Sequence, residues 1–393
     1  MTEEKPKITK AAKSKVNSGN RKLILAAVIV VTIICGLVLK AFFLDPRSTD
    51  EQLAAIDAEL AIPDEENAAV YYRRFFSDPN NAAILDDLYD YTPSAYCGPW
   101  ADEEYPELAA KLEKHRALIQ TLHDISEMKQ ARFPVYPEPG TDWWEMLSYM
   151  RRVTFLLSWA AANDLAEGRT DAAFSKYECQ LRLPRQLEQQ PGTIHNLVGI
   201  AIEAVAYGNI REAVMRDETT PEQLKSLERI LEIPTDRVEG HAEIAARVER
   251  LIDDKEWSQL PLTGKLKHWW NGRNIRAERA EQKRRQRLIH LRLEATRKAI
   301  PILFALRRYK DKTGAWPNTL EAIEPKLPEQ ILIDPQNDGP FVYKRNEDGF
   351  IFYSKGPNGI DEHGSYRSPA DDYPSWASKI NNTPEGNVEK QEE

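Results

Sequence analysis

The chain has 393 residues and a net charge of −9, long enough for two packed domains. The charge is unevenly divided: the first 22 residues carry +5 and Gly264–Lys298 carries +9, leaving −23 for the rest. Three cysteines, one of them (Cys35) inside a long apolar run, leave room for no more than one disulfide elsewhere and exclude a disulfide-stapled scaffold.

The polar, basic stretch 1–22 has no apolar periodicity and is expected to be disordered. Leu23 to Leu44 then reads LILAAVIVVTIICGLVLKAFFL, with Lys40 its only charge. About 20 apolar residues rising 1.5 Å each span a hydrocarbon core of roughly 30 Å, so the run predicts a transmembrane helix. Lys40 is late enough for its ammonium to reach the interface, at the level of Phe42 and Phe43. Lys5, Lys7, Lys10, Lys13, Lys15, Arg21 and Lys22, against Glu3 and Glu4, place the N-terminus in the cytoplasm and export the bulk of the chain. The run is too long for a cleaved signal and no small-x-small site follows it. Ile34 before Cys35 does not fit a lipoprotein signal. Cys97 and Cys179 are then both exported, as one disulfide or as two free buried thiols.

Asp45-Pro46 breaks the anchor helix, and Thr49 or Asp50 caps the next one, which carries Leu53, Ile56 and Leu60. Ala68, Ala69, Tyr72, Phe75 and Phe76 form a second apolar stripe after Pro63, and Leu85, Leu88 and Tyr89 a third. Thr92–Tyr105 reads as a loop, Leu108–Met128 as one amphipathic helix, and Pro134–Gly140 as a stiff linker. Asp142 opens a helix through Leu157. Leu165–Leu183 then reads as an αα-hairpin that turns at Gly168 and resembles a single tetratricopeptide-type unit, with no 34-residue period around it. The helix after Pro191 is apolar nearly all round and is expected at the centre of the domain. His195, Asn196 and Glu203 mark it as no second membrane span. Thr220-Pro221 opens a helix that Pro234 closes, and a further helix ends near Trp257.

Residues 258–273 read as a linker holding Lys265, Lys267, His268, Trp269 and Trp270, suited to a core, a domain interface or a lipid surface. A long helix follows from Asn274 to about Lys312, basic in its first half, apolar in its second and kinked at Pro301. Its basic half reads as a solvated face pairing with acidic surface elsewhere. Nucleic acid is not an expected partner of an exported domain. Gly314 stops the helix, and Phe341–Lys344 and Phe350–Tyr353 alternate as the two strands of a hairpin. Beyond Trp376 a polar, acidic, disordered tail is expected.

This last order resembles the C-terminal part of the major pseudopilins of type II secretion. The resemblance rests on Tyr309, Gly314, Trp316, Pro317, Asp334, Pro335, Tyr343, Gly349, Phe350, Tyr353, Ser354, Gly356 and Gly359, and covers residues 290–375. The pseudopilin leader and its Gly-Phe-Thr-Leu-Ile-Glu-like cleavage site have no counterpart near Arg21, and residues 45–273 separate the anchor from the matching helix. Polymerisation into a pseudopilus is therefore not implied. The whole arrangement resembles uncharacterised single-span bacterial membrane proteins. The resemblance implies a calcium loop at the C-terminal end. Its aspartate position holds Asn358, and the Ala-Asp pair matches Ala370-Asp371, so Asn358, Asp361, Asp371 and Asp372 are the candidate ligands of a structural Ca²⁺.

No His-x₃-His pair, Gly-x-Ser-x-Gly or phosphate-binding glycine loop occurs, so no catalytic or cofactor residues are assigned. The expected fold is mainly α. It comprises a tail (1–22), an anchor (23–44), an exported helical domain (45–257), the linker, a long helix with a small pseudopilin-like α+β module (274–375) and a tail (376–393). The expected role is binding or scaffolding at the bacterial inner membrane, near a type II secretion or pilus-like assembly. The alternative is an exported, hydrolase-like enzyme using a pocket in the helical domain.

Overall fold

A computed structural model of the chain describes residues 48–90, 98–136, 142–233, 241–263, 272–323, 327–347, 349–365 and 371–377. The apolar run 23–44, the basic tail, Cys97 and the acidic end lie outside them. Among the described residues no helix is long and apolar enough to cross a membrane. The fold is mainly helical, with a small antiparallel sheet at the C-terminal end.

The helices are α1 (Thr49–Leu60), α2 (Ala68–Ser77), α3 (Pro79–Asp90), α4 (Pro106–Lys114), α5 (Arg116–Ser126), α6 (Asp142–Ala166), α7 (Thr170–Glu188), α8 (Thr193–Met215), α9 (Pro221–Leu231), α10 (His241–Gln259) and α11 (Gly272–Thr313). Most follow the apolar spacing of the sequence. The single helix expected over 108–128 is instead two, α4 and α5. His115 falls in the middle of the apolar stripe, between Leu112 and Leu118, and the backbone unwinds there to φ −106°, ψ 19°.

The α6–α7 hairpin turns as expected. Gly168 sits at φ +73°, the left-handed region that closes a helix, and the Arg169 amide donates to the Asp164 carbonyl at 2.7 Å. α8 is the centre of the layer, with Ile202, Ala206, Ile210, Ala213 and Val214 all buried. It approaches α7 closely at Gly199, where an added Cβ would meet Leu187 Cβ at 3.4 Å and the Pro184 carbonyl at 3.5 Å. One packed core then joins α7, α8, α9 and the second half of α11 to Phe341, Phe350 and Phe352 of the C-terminal segment. That core crosses the segment 258–273, so the helices on either side of it share one interior.

α9 begins on a capping box. The Thr220 side chain accepts from the Gln223 amide at 3.3 Å, and Gln223 Oε1 accepts from the Thr220 amide at 2.8 Å. Thr220→Ala is expected to cost about 1 kcal/mol in urea unfolding, and Thr220→Asp to cost less. The end of α8 is capped from another helix. Arg307, buried in α11, donates to the carbonyls of Val214 (2.8 Å), Arg216, Asp217 (3.3 Å) and Thr219 (2.8 Å), and pairs with Asp311 at 2.8 Å. These carbonyls have no partner within α8, and a cation belongs at that negative end of the helix dipole.

The extended stretch 128–133 makes one backbone bridge, the Ala68 amide donating to the Gln130 carbonyl at 3.0 Å, and is otherwise held by side-chain amides. Gln186 Nε2 donates to the Met128 carbonyl at 2.8 Å. Gln189 donates to the Lys129 carbonyl and accepts from the Ala131 amide, both at 2.9 Å. Gln190 donates to the Ala131 carbonyl at 2.6 Å and accepts from the Phe133 amide at 3.1 Å. From the other side Asn67 accepts from the Arg132 amide at 2.8 Å and donates to the Arg132 carbonyl at 3.1 Å.

The sheet has the order β1 (Val342–Arg345), β2 (Phe350–Ser354), β3 (Tyr373–Ala377), all antiparallel. The expected hairpin is present, with Val342 opposite Tyr353 and Arg345 opposite Phe350. β3 corrects the sequence reading, which carries no strand near Trp376. Pro374 removes a ladder donor and lowers strand propensity, but an outer strand tolerates it, and the register shifts between Phe352 and Tyr353 beside it. Trp316 packs edge-on against Phe350 at 4.8 Å, closing the sheet onto the turn after α11.

Candidate functional site

The C-terminal loop gathers acidic groups because its backbone is folded by its own side chains. β2 ends at Ser354, and left-handed glycines at 356 (φ +64°) and 359 (φ +68°) reverse the chain. Asn358 Oδ1 accepts from the Ile360 amide at 2.9 Å, and its Nδ2 donates to Glu362 Oε1 at 2.8 Å. The other Glu362 oxygen accepts from the Asp372 amide at 3.2 Å. Asp372 Oδ2 accepts from the Gly364 amide at 2.7 Å. Its Oδ1 is buried with no hydrogen-bond partner, and burial, with Glu362 and Asp361 close by, pushes the carboxyl up.

Asp361 is differently placed. Its Oδ1 accepts from Tyr353 Oη at 2.6 Å and from the His363 amide at 2.9 Å, and Lys344 Nζ lies 3.2 Å from Oδ2. The Tyr353 hydroxyl and then these other donors hold the carboxyl down at about 2. So Asn358, Asp361 and Asp372 share one loop, and Asp371 stands half-buried beside Asp372. Glu362, absent from the sequence-based ligand set, is the residue that links Asn358 to Asp372. Its position four residues after Asn358 was the available signal. Asp361 already serves a lysine and a tyrosine supplied by β1 and β2.

Hard carboxylate and amide oxygens are the right chemistry for a calcium ion, and the orphaned Asp372 oxygen beside Glu362 is a place where a cation relieves buried like charge. Asp361 fits less well, since Tyr353, the His363 amide and Lys344 already engage its carboxylate.

A second gathering of charge lies where α7, α8 and α11 meet. Arg297 is bidentate to Glu203, at 2.9 and 2.6 Å, and reaches Glu188 at 2.6 Å. Arg185 reaches Glu203 at 3.2 Å, Glu188 at 3.3 Å and Tyr207 Oη at 3.4 Å. Glu203 is fully buried and Glu188 nearly so. Burial and the neighbouring Glu203 hold the Tyr207 hydroxyl protonated. Two arginines against two carboxylates leave no net charge, and the arrangement works as a cross-link.

Among the described residues, three clefts of the helical layer gather polar side chains. The first, about 280 Å³, is lined by Asp102, Glu113, Arg116, Asn163, Asp164, Arg169 and Lys176. Asp164 there is bracketed by Arg169 at 2.7 Å and Lys176 at 2.5 Å, and Asn163 joins Arg169 to Asp102. The second, about 370 Å³, has Ser158 and Asn209 in its wall. Ser158 Oγ accepts from Gln180 (2.9 Å) and Asn209 (2.8 Å) and donates to the Thr154 carbonyl (2.9 Å), so it is fully committed to packing α6, α7 and α8 together. The third, about 470 Å³, is bordered by Glu127, Met128, Lys129, Arg182, Arg185 and Gln189. Cys179 is a free, buried thiol pushed up to about 11 by desolvation, which makes it a poor nucleophile. His195 is enclosed with neither ring nitrogen partnered.

These residues define a helical layer closed by a small sheet, with its charges arranged as cross-links and one under-coordinated acidic loop. No family model, curated protein or solved structure matches the chain.

Proposed function

We propose that the chain is a membrane-anchored, exported binding or scaffold protein of a bacterial inner membrane. Its single apolar span is Leu23–Leu44, its N-terminus is cytoplasmic, and its helical layer and pseudopilin-like end sit beside a secretion or pilus-like assembly. The observation that carries this reading is the 22-residue apolar run behind a net +5. Consistent with it, the charged groups named in the first cleft and at the α7–α8–α11 junction are engaged with one another, which suits a rigid surface better than a reaction centre. Crosslinking in the native membrane, followed by pull-down of the tagged full-length chain, tests it. Stoichiometric recovery of secretion or pilus components supports an assembly role. Recovery of the chain alone overturns that role and redirects attention to a hydrolase-like activity in one of the clefts.

The same reading gives the C-terminal loop a structural Ca²⁺, with Asp372, Glu362 and Asn358 as its principal oxygens and Asp371 beside them. At a tenfold excess over Kd, calcium is expected to add about 1.4 kcal/mol, seen as a rise in the melting temperature of the full chain in detergent. Asp372→Asn is expected to remove that rise. A rise unchanged in Asp372→Asn places the ion elsewhere.

A further inference from the structure

The last turn of α5 carries a group of side chains that the acidic loop and the clefts leave unexplained. His123 Nδ1 lies 3.9 Å from Asp124 Oδ1 and 3.9 Å from Glu127 Oε1. Neither distance is a hydrogen bond. Nδ1 is nonetheless buried and has no other hydrogen-bond partner, so the ring nitrogen faces two carboxylates across a gap. One atom from each of the three residues falls within 4.8 Å of the others.

We propose that His123, Asp124 and Glu127 bind a divalent transition-metal ion of the zinc type. Ligand atoms about 2.1 Å from such an ion stand about 3.4 Å apart in a tetrahedral site, so closing the two 3.9 Å histidine–carboxylate separations takes about half an ångström each, and the two carboxylate oxygens start within 4.8 Å of each other. Both carboxylates are mostly exposed, so the adjustment meets no packed neighbour beyond the Gln120 and Arg182 contacts described next. An imidazole nitrogen with two carboxylate oxygens selects a borderline ion over Ca²⁺ or Mg²⁺, which separates this site from the C-terminal loop. The site lies on the last turn of a helix, where the dipole favours a cation.

The surrounding groups are compatible. Gln120 Nε2 holds Asp124 Oδ1 at 2.8 Å and fixes its direction. Arg182 is the competing cation, but it reaches Glu127 only at 3.4 Å and is held more closely by Glu178 at 2.5 Å. Three protein ligands leave a fourth coordination position for water, and Glu127 also lines the third cleft together with Lys129 and Arg185.

The test is titration of the full chain in detergent with ZnCl₂ by calorimetry, and with CoCl₂ by visible absorption. The expected result is one equivalent bound, a Co²⁺ spectrum of low-symmetry, four- or five-coordinate type, loss of both with His123→Ala, and at least tenfold weaker binding with Glu127→Gln. Because His123 could also matter to folding, the metal-free melting temperatures of the variants are compared. Values within about 2 °C of the parent, with binding lost, assign the effect to ligation. Binding that survives His123→Ala unchanged, or no binding by the parent at mid-micromolar Zn²⁺, overturns the proposal.

Discussion

Arg297→Ala is expected to destabilise the fold by about 3–5 kcal/mol, the cost of leaving a buried charge without its partner. The guanidinium closes a bidentate pair with Glu203 and a third bond to Glu188, from residues 94 and 109 positions away in the chain. Its loss leaves two carboxylates, one with no exposed side-chain surface and one with 4%, with Arg185 as the remaining arginine of the group. Arg297→Lys is expected to recover only part of the loss, because a single ammonium does not reproduce the planar fork. Replacing Glu188, Glu203, Arg297 and Arg185 together by apolar residues of similar volume is expected to restore most of the stability, because no member of the network is then left buried and unpaired. Urea unfolding of the full chain measures all three. A loss below about 1 kcal/mol for Arg297→Ala would mean that water reaches the pair and the cross-link is not what fastens α11 to the helical layer.

The second large effect is a loss of stability in acid that depends on one residue. His195 is enclosed by the Phe133 ring at 5.6 Å and by the chain at Gly192, where a Cβ would come within 2.7 Å of Nδ1. Desolvation lowers its folded-state pKa to about 4, against 6.5 for the free side chain. Between those values the unfolded chain binds a proton that the folded chain refuses. Stability is therefore intact above pH 6.5 and falls as the pH drops towards 4, by about 3 kcal/mol in all. His195→Leu is expected to remove this component and flatten the difference curve between the two proteins. The comparison isolates His195 from carboxyls such as Asp57 and Asp334, which burial pushes the other way and which both proteins share. Parallel pH profiles for parent and variant would show that the imidazole is not the acid-sensitive group.

Apolar spacing made the helices legible. α2 buries the whole stripe that spacing selects, from Ala68 to Phe76, and α1 buries Leu53 and Ile56 while Leu60 is half-buried. Stop signals were legible too, because Gly168 and Gly314 adopt the positive φ that ends a helix. The division of Leu108–Met128 at His115 was not, since a polar residue in an apolar stripe normally passes as a partly exposed position. β3 was hidden by Pro374. Glu203 is the most instructive residue. In the sequence it marks α8 as no membrane span, and its partner Arg297 lies in a basic run that reads as a solvated face. Only the packing of α8 on α11 turns the two into a pair. The acidic loop was half legible: Asn358 and Asp372 are joined through Glu362, whereas the engagement of Asp361 by Lys344 and Tyr353 comes from strand register, which local sequence does not encode.

The side-chain amides that grip residues 128–133 carry a consequence for motion. Gln186 lies in the last turn of α7, Gln189 is its C-cap and Gln190 follows, its amide bonded to the Leu187 carbonyl at 3.1 Å, so the three keep their spacing only while the end of α7 is formed. Irregular backbone normally exchanges its amide hydrogens freely. Here the Ala131 and Phe133 protons are donated to those glutamines, and the Arg132 proton to Asn67. Their exchange with deuterium should follow the opening of α7, at the slow rate of a buried helix, so that a stretch outside regular secondary structure opens and closes in step with the helix that holds it.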